Sequence, residues 1–109
     1  MESKENNRIG ILKAYLQEDP GDAFSNYALA LEYLKSGENN LACGILENIL
    51  KADEQYLAAY YQLGKVYEKM ERTEDAKLIY KKGEEIAFNQ KNQRTLNELR
   101  SAYDSLNDE

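Results

Sequence analysis

The sequence predicts an all-α fold built of antiparallel helical hairpins. Three observations carry that reading. Apolar residues recur at spacings of three and four, broken by stop-and-restart signals, and never alternate at period two. Ala, Leu, Glu, Lys and Gln are plentiful, whereas there is one proline and no tryptophan. Residues 23–56 also echo residues 57–90 at an offset of 34.

Six helical segments can be read. The first runs from about Asn7 to Glu18, with Ile9, Leu12 and Leu16 on one stripe and Ile11 and Tyr15 beside it. Pro20 disfavours helix at Asp19, and Asp22 is placed to cap the next helix. The second segment covers about Ala23 to Lys35. Gly37 then suits a helix-terminating position and Asn39 a new cap, so the third covers about Asn40 to Lys51. Asp53 is expected to cap a fourth, about Glu54 to Met70. Thr73 is expected to cap a fifth, to about Phe88, with Glu74 and Asp75 where the helix dipole favours acids. A last helix, capped by Asn92 or Thr95, carries Leu96, Leu99, Tyr103 and Leu106 on one narrow stripe. Short connections make neighbours antiparallel.

At the offset of 34, Tyr27 meets Tyr61, Leu29 meets Leu63, Tyr33 meets Tyr67, Lys35 meets Lys69, Ala42 meets Ala76 and Ile45 meets Ile79. Apart from the lysines these are apolar residues at helix-packing spacing. The second copy reads Tyr60-x2-Leu63-Gly64-x2-Tyr67, then Ala76-x3-Tyr80; the first reads Asn26-x2-Leu29-Ala30-x2-Tyr33, then Ala42-x3-Leu46. Small residues on paired helices allow close approach, so Gly64 is expected to face Ala76, and Ala30 to face Ala42. The pattern resembles the tetratricopeptide repeat signature, with Tyr60 where the family prefers Trp and Tyr80 where it prefers Phe. Departures are Asn26 in place of the large aromatic, Ile49 and Gly83 in place of Ala, and Glu54 and Phe88 in place of Pro.

The resemblance implies a single domain, a short right-handed solenoid. Residues 7–18 would be a half-repeat helix, residues 23–56 and 57–90 two full repeats, and residues 91–107 a capping helix with a polar outer face.

Composition narrows function. The net charge is −6, with 10 acidic and 5 basic side chains in residues 1–56 against 10 and 9 in residues 57–109. Nucleic acid is a poor partner for such a chain, because phosphate neutralisation supplies much of that affinity. No apolar run approaches the ~20 residues of a membrane span, and the N-terminus lacks the apolar segment of a secretory signal, so the expected location is cytoplasmic. The chain has no histidine, hence neither the commonest general base nor the commonest metal ligand. The scattered glycines form no phosphate loop, and Cys43 lies amid apolar neighbours, as a buried structural thiol does. The carboxylates are expected on solvated helical faces. No enzyme, metal or cofactor is indicated.

By the resemblance, the first helix of each repeat lines a concave groove that takes peptides or helices of other proteins. The groove positions are Phe24, Tyr27, Leu31, Leu34 and Lys35, then Ala58, Tyr61, Gln62, Lys65, Glu68 and Lys69, with Thr95 and Leu99 from the last helix. Tyr27 and Tyr61 stand out, since tyrosine pairs an apolar face with a hydroxyl. They are read equally well as packing residues. Lys65 and Lys69, four apart, suit an acidic peptide or a surface pairing with Glu68 or Glu71. Tyr27, Leu31, Thr95 and Leu99 stand where the chaperone-tail clamp of some family members needs basic or amide side chains, so that ligand is not expected. The leading function is a protein–protein interaction scaffold; the alternative is self-association, a homodimer closed through the first-helix face.

Overall fold

The structure is a computed structural model that describes residues 4–107, and their side chains from residue 7 on. Among these residues there are six α-helices and no strand: α1 Lys4–Glu18, α2 Ala23–Lys35, α3 Asn39–Ala52, α4 Ala58–Lys69, α5 Thr73–Asn89 and α6 Gln93–Asn107. They fall into two compact units, residues 1–49 and residues 50–109.

In the first unit α1 packs on α2. Asp22 caps α2 as expected: its backbone is extended and its carboxylate accepts the Ser25 amide at 3.0 Å. Asn26 stands where the family places a large aromatic, and it has other work. Its side-chain amide donates to the carbonyls of Pro20 and Asp22, each at 3.0 Å, pinning the loop before the helix. The buried stripe of α2 is Leu29, Ala30 and Tyr33, joined by Glu32.

In the second unit α5 packs against both α4 and α6. Tyr60, Leu63, Val66, Tyr80 and Leu99 are its largest fully buried side chains. The close approach expected of Gly64 is real, and the group nearest to it is the Tyr80 ring. A Cβ at Gly64 would lie 2.1 Å from the Tyr80 ring, so the missing side chain makes room for the aromatic. Gly83, where the family has Ala, is equally enclosed. A Cβ there would lie 2.8 Å from Cβ of Tyr60 and 3.0 Å from Leu99.

Two helix starts differ from expectation. The fourth helix begins at Ala58, not near Glu54, and no side chain caps it. Asp53 instead accepts the Gln55 amide at 2.9 Å in a local turn, a bond that competes with helix entry. Thr73 is the first residue of α5 and not its cap; Arg72 holds that position, its guanidinium 2.8 Å from Asp75. For α6 the choice falls on Asn92, whose side chain accepts the Thr95 amide at 3.0 Å. Nor are all the carboxylates solvated. Glu32 is buried with Arg8 at 3.2 Å and Lys35 at 3.4 Å, and Glu84 with Arg100 at 3.5 Å and Lys81 at 3.9 Å. Each is paired with cations from two helices, which offsets part of the loss of hydration.

Three helices end in the same way. After α2, Gly37 has φ +78°, and the Glu38 amide donates to the Tyr33 carbonyl at 2.9 Å. After α4, Glu71 has φ +60°, and the Arg72 amide donates to the Tyr67 carbonyl at 2.8 Å. After α5, Lys91 repeats the geometry with φ +60°. This left-handed closure suits glycine, and a Cβ there costs about 1–2 kcal/mol. Gly37 and Glu71 are repeat equivalents, so only one copy carries the strain. Glu71→Gly is therefore expected to stabilise the protein by about 0.5–1 kcal/mol, once the extra freedom of glycine in the unfolded chain is deducted. Urea denaturation measures it, and an unchanged or lower midpoint would contradict the strain.

Candidate functional site: a cleft between α4 and α6

Within the second unit, α4 and α6 flank a cleft of about 430 Å³. Tyr61 and Lys65 line it from α4; Asn97, Glu98, Ser101 and Ser105 line it from α6. Tyr61 and Lys65 are four apart, one helical turn, so both point the same way. Asn97, Ser101 and Ser105 form a second row at the same spacing.

The α4 wall is held by its neighbours. The Tyr80 ring is fully buried and lies behind Tyr61, with ring centroids 6.3 Å apart and planes tilted by 43°. The Tyr80 hydroxyl donates to the Glu68 carboxylate. Lys65 lies 3.8 Å from that carboxylate, and its ammonium is 5.4 Å from the centre of the Tyr61 ring. Tyr80, Glu68, Lys65 and Tyr61 thus form one connected set of contacts behind the α4 wall. On the α6 side, Leu99 is buried against Gly83, and Glu84 of α5 reaches Arg100.

Burial pushes the Tyr80 phenol well above its usual range, and the hydrogen bond to Glu68 adds to the shift. Tyr60 is raised by burial first, then by Glu54, Asp53 and Glu85. Both hydroxyls keep their protons in the folded protein where the unfolded chain releases them, near pH ~10. Their contribution to stability is present below that pH and is lost as pH rises above it. Denaturation at mildly and strongly alkaline pH should show this fall, and Tyr80→Phe should flatten it. An equally steep fall in Tyr80→Phe would remove Tyr80 as its source.

Of the residues read as groove positions, Tyr61 and Lys65 line the cleft. Ala58, Gln62 and Lys69 share α4 but lie outside the lining. In the first unit, Phe24 stands exposed at 73%, Tyr27 and Leu31 are half-buried, and Lys35 turns to Glu32 at 3.4 Å. Leu99 was expected in the groove and is instead core, with no exposure. Thr95 is half-buried outside the lining. The row Asn97, Ser101 and Ser105 escaped the sequence reading, because a polar cleft wall and a solvated cap face have the same composition. The spacing of four was the available signal.

Residues 1–83 match the family model described as anaphase-promoting complex, cyclosome, subunit 3. A tetratricopeptide repeat domain protein from Salinibacter ruber, seen by solution NMR, is 40% identical, with TM-score 0.77 over 81% of this chain and 89% of that one. The chain belongs to the tetratricopeptide repeat family. The crystal structure of a Salinibacter ruber domain protein of the same kind gives 38% identity and TM-score 0.76, over 79% and 96% of the two chains. MamA gives 25% identity and TM-score 0.73, over 94% of this chain and 58% of MamA. No curated protein matches. The tetratricopeptide fold generally mediates protein–protein interaction and is a non-catalytic scaffold type. No helix among the described residues is long and apolar enough to cross a membrane.

Proposed function

We propose that this protein is a non-catalytic adaptor that seats a peptide or helix of another protein in the cleft between α4 and α6. Residues 23–56 and 57–90 are its two repeats, residues 7–18 a half-repeat and residues 91–107 the cap that supplies the second wall. The observation that carries this reading is the Tyr61–Lys65 wall, held from behind by Tyr80 and Glu68. A rigid aromatic face beside an ammonium loses little entropy on binding, which is the property of an interface anchor. The opposite row of amide and hydroxyl groups can hydrogen-bond a peptide backbone. Ser101 and Ser105 have no imidazole anywhere in the chain to activate them. In the first unit Phe24, Tyr27, Leu31 and Lys35 remain proposed contacts on α2.

The test is calorimetric titration of peptides selected against the intact protein from a random displayed library. Tyr61→Ala is expected to weaken binding roughly 10- to 30-fold, and Lys65→Ala a few-fold. Peptides that bind Tyr61→Ala as tightly as the parent would refute the cleft as the site.

A further inference from the structure

We infer that the outer face of α1 is a self-association surface, on which a second copy of this chain packs its own α1 in antiparallel fashion. The helix is unusual within its unit. Its inner stripe, Ile9, Leu12 and Leu16, is only half-buried, and none of its described side chains is fully buried. Ile11 and Tyr15 are exposed at 68% and 53%. They sit four residues apart on one face, with Arg8 before them and Glu18 after, at spacings of 3, 4 and 3.

That order identifies the occupant. The pattern is symmetric about position 13. A two-fold axis there sets Ile11 of one copy against Tyr15 of the other, and Arg8 of each against Glu18 of the other. An isologous contact needs this self-complementarity: apolar pairs at the centre and opposite charges at both ends. Lys13 does not put like charges on the axis, because it turns to the inner side, its ammonium 6.0 Å from the Tyr33 ring. Arg8 gives one nitrogen to Glu32 at 3.2 Å, yet its side chain stays 64% exposed with donors to spare. A single helix face is smaller than a stable dimer interface, so the dissociation constant should be on the order of 100 µM. The surface lies on α1 and does not depend on the α4–α6 cleft.

Sedimentation velocity on the intact chain, from about 10 µM to about 1 mM, tests this directly. The expected result is a shift from monomer to dimer across that range. Ile11→Asp should weaken the dimer tenfold or more. Glu18→Arg, which sets arginine against Arg8 twice, should weaken it about tenfold at low salt. Phe88→Asp, at an exposed apolar residue of α5, should leave it unchanged. Circular dichroism melts confirm that each variant folds, with Ile11→Ser as the milder substitute. A monomer throughout overturns the proposal and leaves the face to a different protein. A dimer that survives Ile11→Asp, or that Phe88→Asp breaks as readily, overturns it too. A dimer indifferent to Glu18→Arg overturns the antiparallel pairing.

Discussion

Gly64→Ala is expected to destabilise the protein by about 3 kcal/mol, the upper end of the usual overpacking cost, despite the helix propensity that alanine adds. The new methyl would lie 2.1 Å from a ring carbon of Tyr80. That ring cannot swing clear: it is fully buried and its hydroxyl is bonded to Glu68. The melting temperature should fall by roughly 10 °C. The repeat itself offers the compensating change. The positions 34 residues earlier hold Ala30 and Leu46, both fully buried. At these two positions one copy of the repeat thus holds glycine and tyrosine, and the other alanine and leucine. Tyr80→Leu alone should cost about 2–4 kcal/mol through the cavity it leaves. The double variant Gly64→Ala/Tyr80→Leu should recover part of the loss, a coupling of about 1–3 kcal/mol. Strict additivity of the two substitutions would disprove the contact as the reason for Gly64.

This pair also shows what could be read in advance. The enclosure of Gly64 was legible from its place in the repeat, because small residues at one helix-packing position repeat for steric reasons. Which side chain comes closest depends on the helix crossing, and it is the ring of Tyr80, one turn beyond Ala76. Helix existence was legible throughout, and α2 was bounded correctly because Asp22 and Gly37 are strong local signals. The start of α4 was not, since Asp53 serves a turn as well as a cap and only tertiary packing decides between them. Buried Glu32 and Glu84 escaped because a carboxylate reads as solvated until its cations are located. For Glu32 the repeat held a hint: its equivalent is Val66, an apolar residue with no exposure. In the cleft, Tyr61 and Lys65 stood among the positions that the resemblance implies for a groove, and the α6 row did not.

The second large effect is expected at Leu99. Leu99→Ala removes a side chain with no solvent exposure that packs on Gly83, where no Cβ can fill the void. The expected loss is about 3–4 kcal/mol, within the range of buried leucine truncations. Because α6 is one wall of the cleft, the variant should also bind selected peptides more weakly at temperatures where it remains folded. Hydrogen exchange should show α6 amides losing protection before those of α4 and α5. Uniform loss across the three helices would mean that Leu99 belongs to one cooperative core and does not specifically secure α6.

The most direct measurement is an amide chemical-shift map of the labelled protein titrated with a selected peptide. The expected result is a contiguous set of perturbations at Tyr61, Lys65, Asn97, Ser101 and Ser105, lost in Tyr61→Ala. Perturbations confined to the outward residues of α5, such as Leu78 and Phe88, with the α4 and α6 signals unmoved, would contradict the cleft as the binding site.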